Sequence, residues 1–102
     1  MLDEKYENII KNIINTYGKK PQVLQAIEEM SELTKELIKN VNRGKHNVTD
    51  ITLELADVTI MLAQLNIIYN IDPNKLLGAI EYKLLRQQER LNDLAETHCM
   101  TD

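Results

Sequence analysis

Apolar residues recur at helical spacing in four successive stripes, and each stripe predicts a helix. Ile9, Ile10, Ile13 and Ile14 mark the first, from about Leu2 to Thr16, with Tyr17-Gly18 as its stop. Val23, Ala26, Met30, Leu33 and Leu37 mark the second, which starts near Pro21, a tolerated first-turn position, runs to about Asn42 and ends at Gly44. Ile51, Val58, Met61, Leu62, Leu65 and Ile68 mark the third, from about Thr49 to Tyr69, with Thr49 or Asp50 as its cap. Beyond Asn70, Asp72 reads as an N-cap and Pro73 as the first residue of a fourth helix. That helix carries Leu76, Leu77, Ile80, Leu84, Leu85, Leu91 and Leu94 before giving way to a flexible tail at 97–102. The β-branched runs Ile9-Ile10 and Asn66-Ile67-Ile68-Tyr69 lie in phase with these stripes, so no strand is predicted.

The fold class that follows is all-α, a single four-helix, bundle-like domain over 1–102 with its core at about 21–96. With 102 residues there is no room for a second core, and the only aromatic residues are four tyrosines. A chain this small buries a modest share of its surface when alone, so completion of the core by a second copy is the natural remedy.

A net charge of −4 and a pI near 5.2 argue against a nucleic-acid partner, which calls for a basic patch or stripe. Cys99 has no partner for an internal disulfide and reads as a reduced thiol. Met1-Leu2 is followed at once by Asp3-Glu4, unlike a secretory signal, and no uninterrupted apolar run approaches the ~20 residues of a membrane span. The expectation is a soluble cytoplasmic protein that binds no membrane.

Two acidic patterns change the picture: Glu28-Glu29-Met30-Ser31-Glu32 on the second helix and Glu54-Leu55-Ala56-Asp57 on the third. At roughly 100° per residue, Glu54 projects near the middle of the third stripe and Asp57 about 60° to one side. A lone carboxylate there is costly unless something cationic compensates it. On the second helix Glu29 and Glu32 flank the stripe, and Gln25 and Glu36 extend the same polar seam. Antiparallel packing across the short connection lets the two seams face each other and gathers four carboxylates. Residues at i and i+3 are about 5–6 Å apart at Cβ, close enough to share one or two hard divalent ions. Oxygen-only ligation suits Mg²⁺, with Mn²⁺ as substitute. The competing reading is a helical bundle whose acids meet Lys and Arg of the fourth helix or of another subunit.

Ile27-Glu28-Glu29-Met30-Ser31-Glu32-Leu33 followed by Glu54-Leu55-Ala56-Asp57-Val58-Thr59-Ile60-Met61-Leu62 resembles the MazG-like, all-α nucleoside triphosphate pyrophosphohydrolases, especially their short phage and Gram-positive members. The likeness spans about Leu24 to Arg90. It implies a homodimer or homotetramer that hydrolyses a (deoxy)nucleoside triphosphate between its α and β phosphates, giving monophosphate and pyrophosphate. Glu29, Glu32, Glu54 and Asp57 would be the Mg²⁺ ligands, Glu29 or Glu32 the general base, and Glu28 a supporting acid. Lys83, with Arg86 and Arg90 further along the same face, would hold phosphates. Gln87 stands where several relatives place Asn, and the alternative is a solvated basic face that balances Glu81 and Glu89. Other readings are a phosphoribosyl-ATP pyrophosphohydrolase, whose aromatic-histidine ending of the second motif this chain lacks, and a non-catalytic helical module for oligomerisation or interaction.

Overall fold

The computed structural model describes the backbone of residues 2–101 and the side chains of 2–97. The described residues form four helices and no strand: α1 (Glu4–Tyr17), α2 (Lys19–Arg43), α3 (Val48–Ile68) and α4 (Pro73–Thr101). They divide into two compact units, Met1–Asn70 and Ile71–Asp102.

In the first unit, local chemistry sets the helix ends. Asp3 caps α1, its carboxylate accepting from the Lys5 N–H at 3.1 Å, and Glu4 and Glu7 place negative charge on the first turn. Gly18 breaks the chain at φ 96° while its N–H donates to the Ile14 carbonyl at 2.8 Å. The same glycine opens α2, two residues earlier than Pro21 suggests. The proline's missing N–H falls within the first turn, where no intrahelical acceptor exists for it to lose.

Gly44 ends α2 in the left-handed region, at φ 63° and ψ 25°, and the Lys39 carbonyl receives the N–H of both Gly44 and Lys45. Nothing lies within 4 Å of where a Cβ would sit, so Gly44→Ala should cost only the backbone strain, about 1–2 kcal/mol. Urea unfolding should show a lower midpoint with an unchanged slope.

The start of α3 departs from the sequence reading. Its N-cap is Asn47, and Thr49 and Asp50 lie inside the first turn. The Asn47 side chain makes no capping bond because it reaches across to α2 instead, donating to the Glu36 carbonyl at 2.9 Å and to Glu36 Oε2 at 2.7 Å.

Pairings along α2 and α3 fix their register. Asn47 meets Glu36, Glu54 and Asp57 meet Glu29, and Gln64 lines one cavity with Gln22. The sum of each pair's positions is nearly constant, as an antiparallel hairpin requires. Ala26, 1% exposed, sits under this contact together with Met61, and Ile10 and Ile14 of α1 close the small core.

The line that α2 turns toward α3 is therefore Gln22, Ala26, Glu29, Leu33 and Glu36. Of the apolar stripe foreseen on α2, Ala26 is buried and Val23 and Leu33 are half-buried, whereas Met30 and Leu37 are exposed. By helical phase, Ile27, Met30, Leu37 and Val41 fall on the same side of the hairpin as Val48, Leu55, Leu62 and Tyr69, and all eight are exposed. The cavities of α1 are shared with Ile60, Gln64 and Ile67, which fall on the other side.

With 21 residues and a mean hydropathy of 1.5 over its most apolar window, α3 is long and apolar enough to cross a membrane, unlike the run count made from sequence. Only 11% of that window is buried, and α3 carries Glu54 and Asp57 near its centre.

The second unit begins after Asn70, which takes a left-handed φ of 50° that asparagine tolerates better than most residues. Asp72 caps α4, its carboxylate accepting from the Asn74 N–H at 2.8 Å and its carbonyl from the Leu76 N–H at 3.0 Å. The helix runs on through Thr101 where the sequence reading expects a tail from Thr97, since no glycine or proline stops it. Leu76, Leu77, Ile80, Leu84, Leu85, Leu91 and Leu94 are exposed. The side chains of His98 and Cys99 lie outside the described residues.

Candidate metal centre

Glu29 on α2 and Glu54 and Asp57 on α3 converge. Each offers an oxygen that lies within 4.8 Å of the others. The helices explain the meeting: Glu54 and Asp57 sit one turn apart, and the antiparallel register carries Glu29 opposite the gap between them. Ligands on opposite sides of an Mg²⁺ ion stand about 4 Å apart, given bonds of ~2.1 Å, so small rotamer changes would close the trio on one ion.

The electrostatics of the trio are unbalanced. Glu54 is half-buried, and its Oε2 is buried with no hydrogen-bond partner. Burial pushes its carboxyl above the usual range, and the neighbouring charges of Glu29, Asp57, Glu32 and Glu36 push it further. Among the described residues of the first unit, no Lys or Arg lies within ion-pair distance of the three. Glu29 is steadied by Gln25, whose Nε2 donates to its Oε1 at 2.9 Å. An orphaned oxygen among hard oxygen donors fits a divalent cation, which no protein group of this unit replaces.

The other acids of the first motif are placed differently. Glu32 is half-buried, outside the trio, with its Oε1 3.4 Å from Lys35 Nζ. Glu28 is exposed. Glu36 is held by Asn47 and by Lys39 at 3.1 Å, and these bonds pull its carboxyl below the usual range. Lys83, Arg86 and Arg90 belong to the second unit, where with Gln87 they line one shallow hollow along α4, and Arg86 stands 5.9 Å from the centre of the Tyr82 ring.

Against the trio lies a cavity of about 550 Å³ lined by Glu29 and Asp57 together with Gln22, Gln25 and Gln64 and by apolar groups of α1, α2 and α3. Gln22 and Gln64 are buried, at 8% and 1% exposure. Neither they nor Asn47 was foreseen as functional or structural from sequence. The available signal was a polar residue in the phase of a buried stripe: Gln22 lies one turn before Ala26, and Gln64 one turn after Met61.

No family model matches the chain, and the comparisons with curated proteins and with solved structures return no match.

Proposed function

We propose that the protein is a Mg²⁺-dependent nucleotide pyrophosphohydrolase of the MazG-like kind, converting a (deoxy)nucleoside triphosphate and water into monophosphate and pyrophosphate. The observation that carries this reading is the convergence of Glu29, Glu54 and Asp57 around a buried oxygen without a partner, in a unit that offers them no cation. It gives a physical role to the two motifs on which the resemblance rests.

Glu29, Glu54 and Asp57 would hold the metal, with Glu32 joining if its side chain turns from Lys35. When bound, Mg²⁺ supplies positive charge to a polyanionic substrate and lowers the pKa of a coordinated water. The residues then divide the work. Glu54 and Asp57 fix position. Glu29 or Glu32, whichever retains a free oxygen, takes the proton of the attacking water as general base, and Glu28 supports the site from the solvent side. The water oxygen bonds to phosphorus as the bridging oxygen between the α and β phosphates leaves on pyrophosphate. On α4, the turn spacing of Lys83, Arg86 and Arg90 presents three cations along one line, the chemistry that phosphate binding calls for.

Assembly as a homodimer or homotetramer in the MazG-type fold belongs to the same proposal. Its support is the contrast between a core of four buried apolar residues among those described and the exposed side of the α2–α3 hairpin and stripe of α4. A soluble cytoplasmic location follows from the substrate. The same exposed faces favour the second reading, an assembly module that binds metal without turnover.

Incubation of the purified protein with Mg²⁺ and a panel of nucleoside triphosphates, including phosphoribosyl-ATP, decides between them. Release of pyrophosphate with an equimolar monophosphate is the expected result. Mg²⁺ binding without any turnover would leave the module.

A further inference from the structure

We infer that α4 pairs with the α4 of a second copy of this chain, as a parallel, in-register seam that its leucines hold and Gln87 orients. This deepens the assembly proposed above by naming the helix through which copies meet, and it does not depend on the reaction.

The seam is written in heptad spacing. Leu77, Ile80, Leu84, Gln87, Leu91 and Leu94 alternate steps of three and four through three successive heptads, which begin at Leu77, Leu84 and Leu91. Such spacing gathers the six on one narrow face of α4, as two helices that wind around each other require. Its five apolar members are between 46% and 64% exposed, and Gln87 is exposed with them. Large apolar side chains repeated along one face and left open to water call for a partner.

Charge selects which partner and in which direction. One edge of the seam carries Lys83 and Arg90, neither in an ion pair among the described residues, and the other edge carries Glu81 and Gln88. In a parallel pair the cationic edge of each helix faces the other edge of its partner, on both sides of the seam. In an antiparallel pair like edges face each other, which sets Lys83 against Arg90 of the partner subunit. That juxtaposition is repulsive.

Gln87 makes the same choice by hydrogen bonding. In a parallel, in-register pair its amide meets the identical amide of the second copy, and each offers the donor and the acceptor that the other needs. Antiparallel interlocking of the same leucines puts Gln87 opposite Leu84, where the amide has no partner. A single polar residue in such a seam fixes register and assembly state at a cost in stability. This accounts for an amide within an otherwise apolar row.

The test uses the full chain. Sedimentation equilibrium should show association that Leu84→Asp with Leu91→Asp weakens at least about 30-fold, whereas Leu85→Asp, at a 66% exposed leucine outside the seam, leaves it unchanged. Direction is read from nitroxide labels attached in turn at Glu89→Cys and Glu96→Cys in a Cys99→Ser background. Both positions lie opposite the seam, so a parallel pair gives the same distance between copies at each. An antiparallel pair sets the Glu96 labels about 20 Å further apart along the axis than the Glu89 labels. Gln87→Leu should associate at least as tightly and give a mixture of distances. The inference is overturned if the chain is a monomer, if the double variant associates as the wild type does, or if the two label distances differ. Association lost instead in Leu55→Asp with Leu62→Asp and kept in the α4 variant would overturn it too, by placing the contact on the hairpin. Pairing through α4 without pyrophosphate release would sink the proposed reaction and leave the seam standing.

Discussion

Glu54→Gln should abolish the proposed pyrophosphate release, lowering the rate by more than about 100-fold, and should also make the metal-free protein more resistant to heat. The two effects have opposite signs because one carboxylate serves two states. With a divalent ion present it would be a ligand, and the amide that replaces it brings no negative charge. Without the ion it is a half-buried carboxylate crowded by Glu29 and Asp57, with an oxygen that nothing in its unit satisfies.

The pH dependence follows from the direction of its shift. The folded-state pKa of Glu54 is raised above its ordinary value of 4.5, so the folded chain holds this proton when the unfolded chain has lost it. The stability it contributes is fully present below 4.5 and is lost as pH rises through the raised value. The melting temperature of Glu54→Gln, measured in chelator, should therefore pull ahead of the wild type as pH rises from 4.5 and then hold a constant lead. Added Mn²⁺ should erase that lead by stabilising the wild type alone. Asp57→Ala should share the loss of activity and remain folded, since Asp57 is exposed. If either variant keeps wild-type turnover, the carboxylates are not the metal ligands.

Asn47→Ala should destabilise the fold by about 2 kcal/mol and lower activity through the position of α3. Asn47 is 3% exposed, and its amide carries the connection between the helices: it donates to the Glu36 carbonyl and carboxylate and accepts from Asn40 Nδ2 at 3.3 Å. Alanine removes all three bonds at once in a place water reaches poorly, leaving the Glu36 carboxylate to Lys39 alone and the Asn40 amide to the Lys45 carbonyl. The hydrogen bond from Asn47 is also the first cause of the lowered Glu36 pKa. A lowered carboxylate stabilises above its ordinary value and loses that contribution as pH falls through the lowered one. The variant should thus unfold at lower denaturant concentration near neutral pH, with the difference shrinking on acidification. Chemical denaturation at several pH values measures both, and a pH-independent difference would show that the Glu36 bond contributes nothing.

The helices were legible because their determinants are local. Gly18 and Gly44 adopt positive φ where the sequence places helix stops, and Asp72-Pro73 opens α4 as its chemistry dictates. The acids of α3 were legible for the same reason: Glu54 lies near the middle of an apolar stripe with Asp57 one turn on at its margin, and that angular fact needs no partner to be seen. Glu29 joined them because the short connection permits little besides an antiparallel return.

What sequence misplaced depends on which face of a helix meets which neighbour. Hydropathy marks Met30 and Leu37 for a core, yet α3 rests on the line of Ala26 and Glu29, because the small side chain of Ala26 admits the closest approach. The choice of Asn47 over Thr49 or Asp50 at the start of α3 depends on Glu36, eleven residues away on another helix. Glu29 and Glu32 look equivalent on a helical wheel, but only Glu29 meets Glu54 and Asp57 while Glu32 turns to Lys35.

By itself, then, the sequence determined four helices, the glycine stops of the first two and the presence of acids along two apolar seams, since caps and periodicity act within one or two turns. Only the tertiary structure decided which three carboxylates meet, which oxygen goes unsatisfied and where the amide-lined cavity opens. Those depend on the axial register and rotation of α2 against α3, and packing between distant residues sets both.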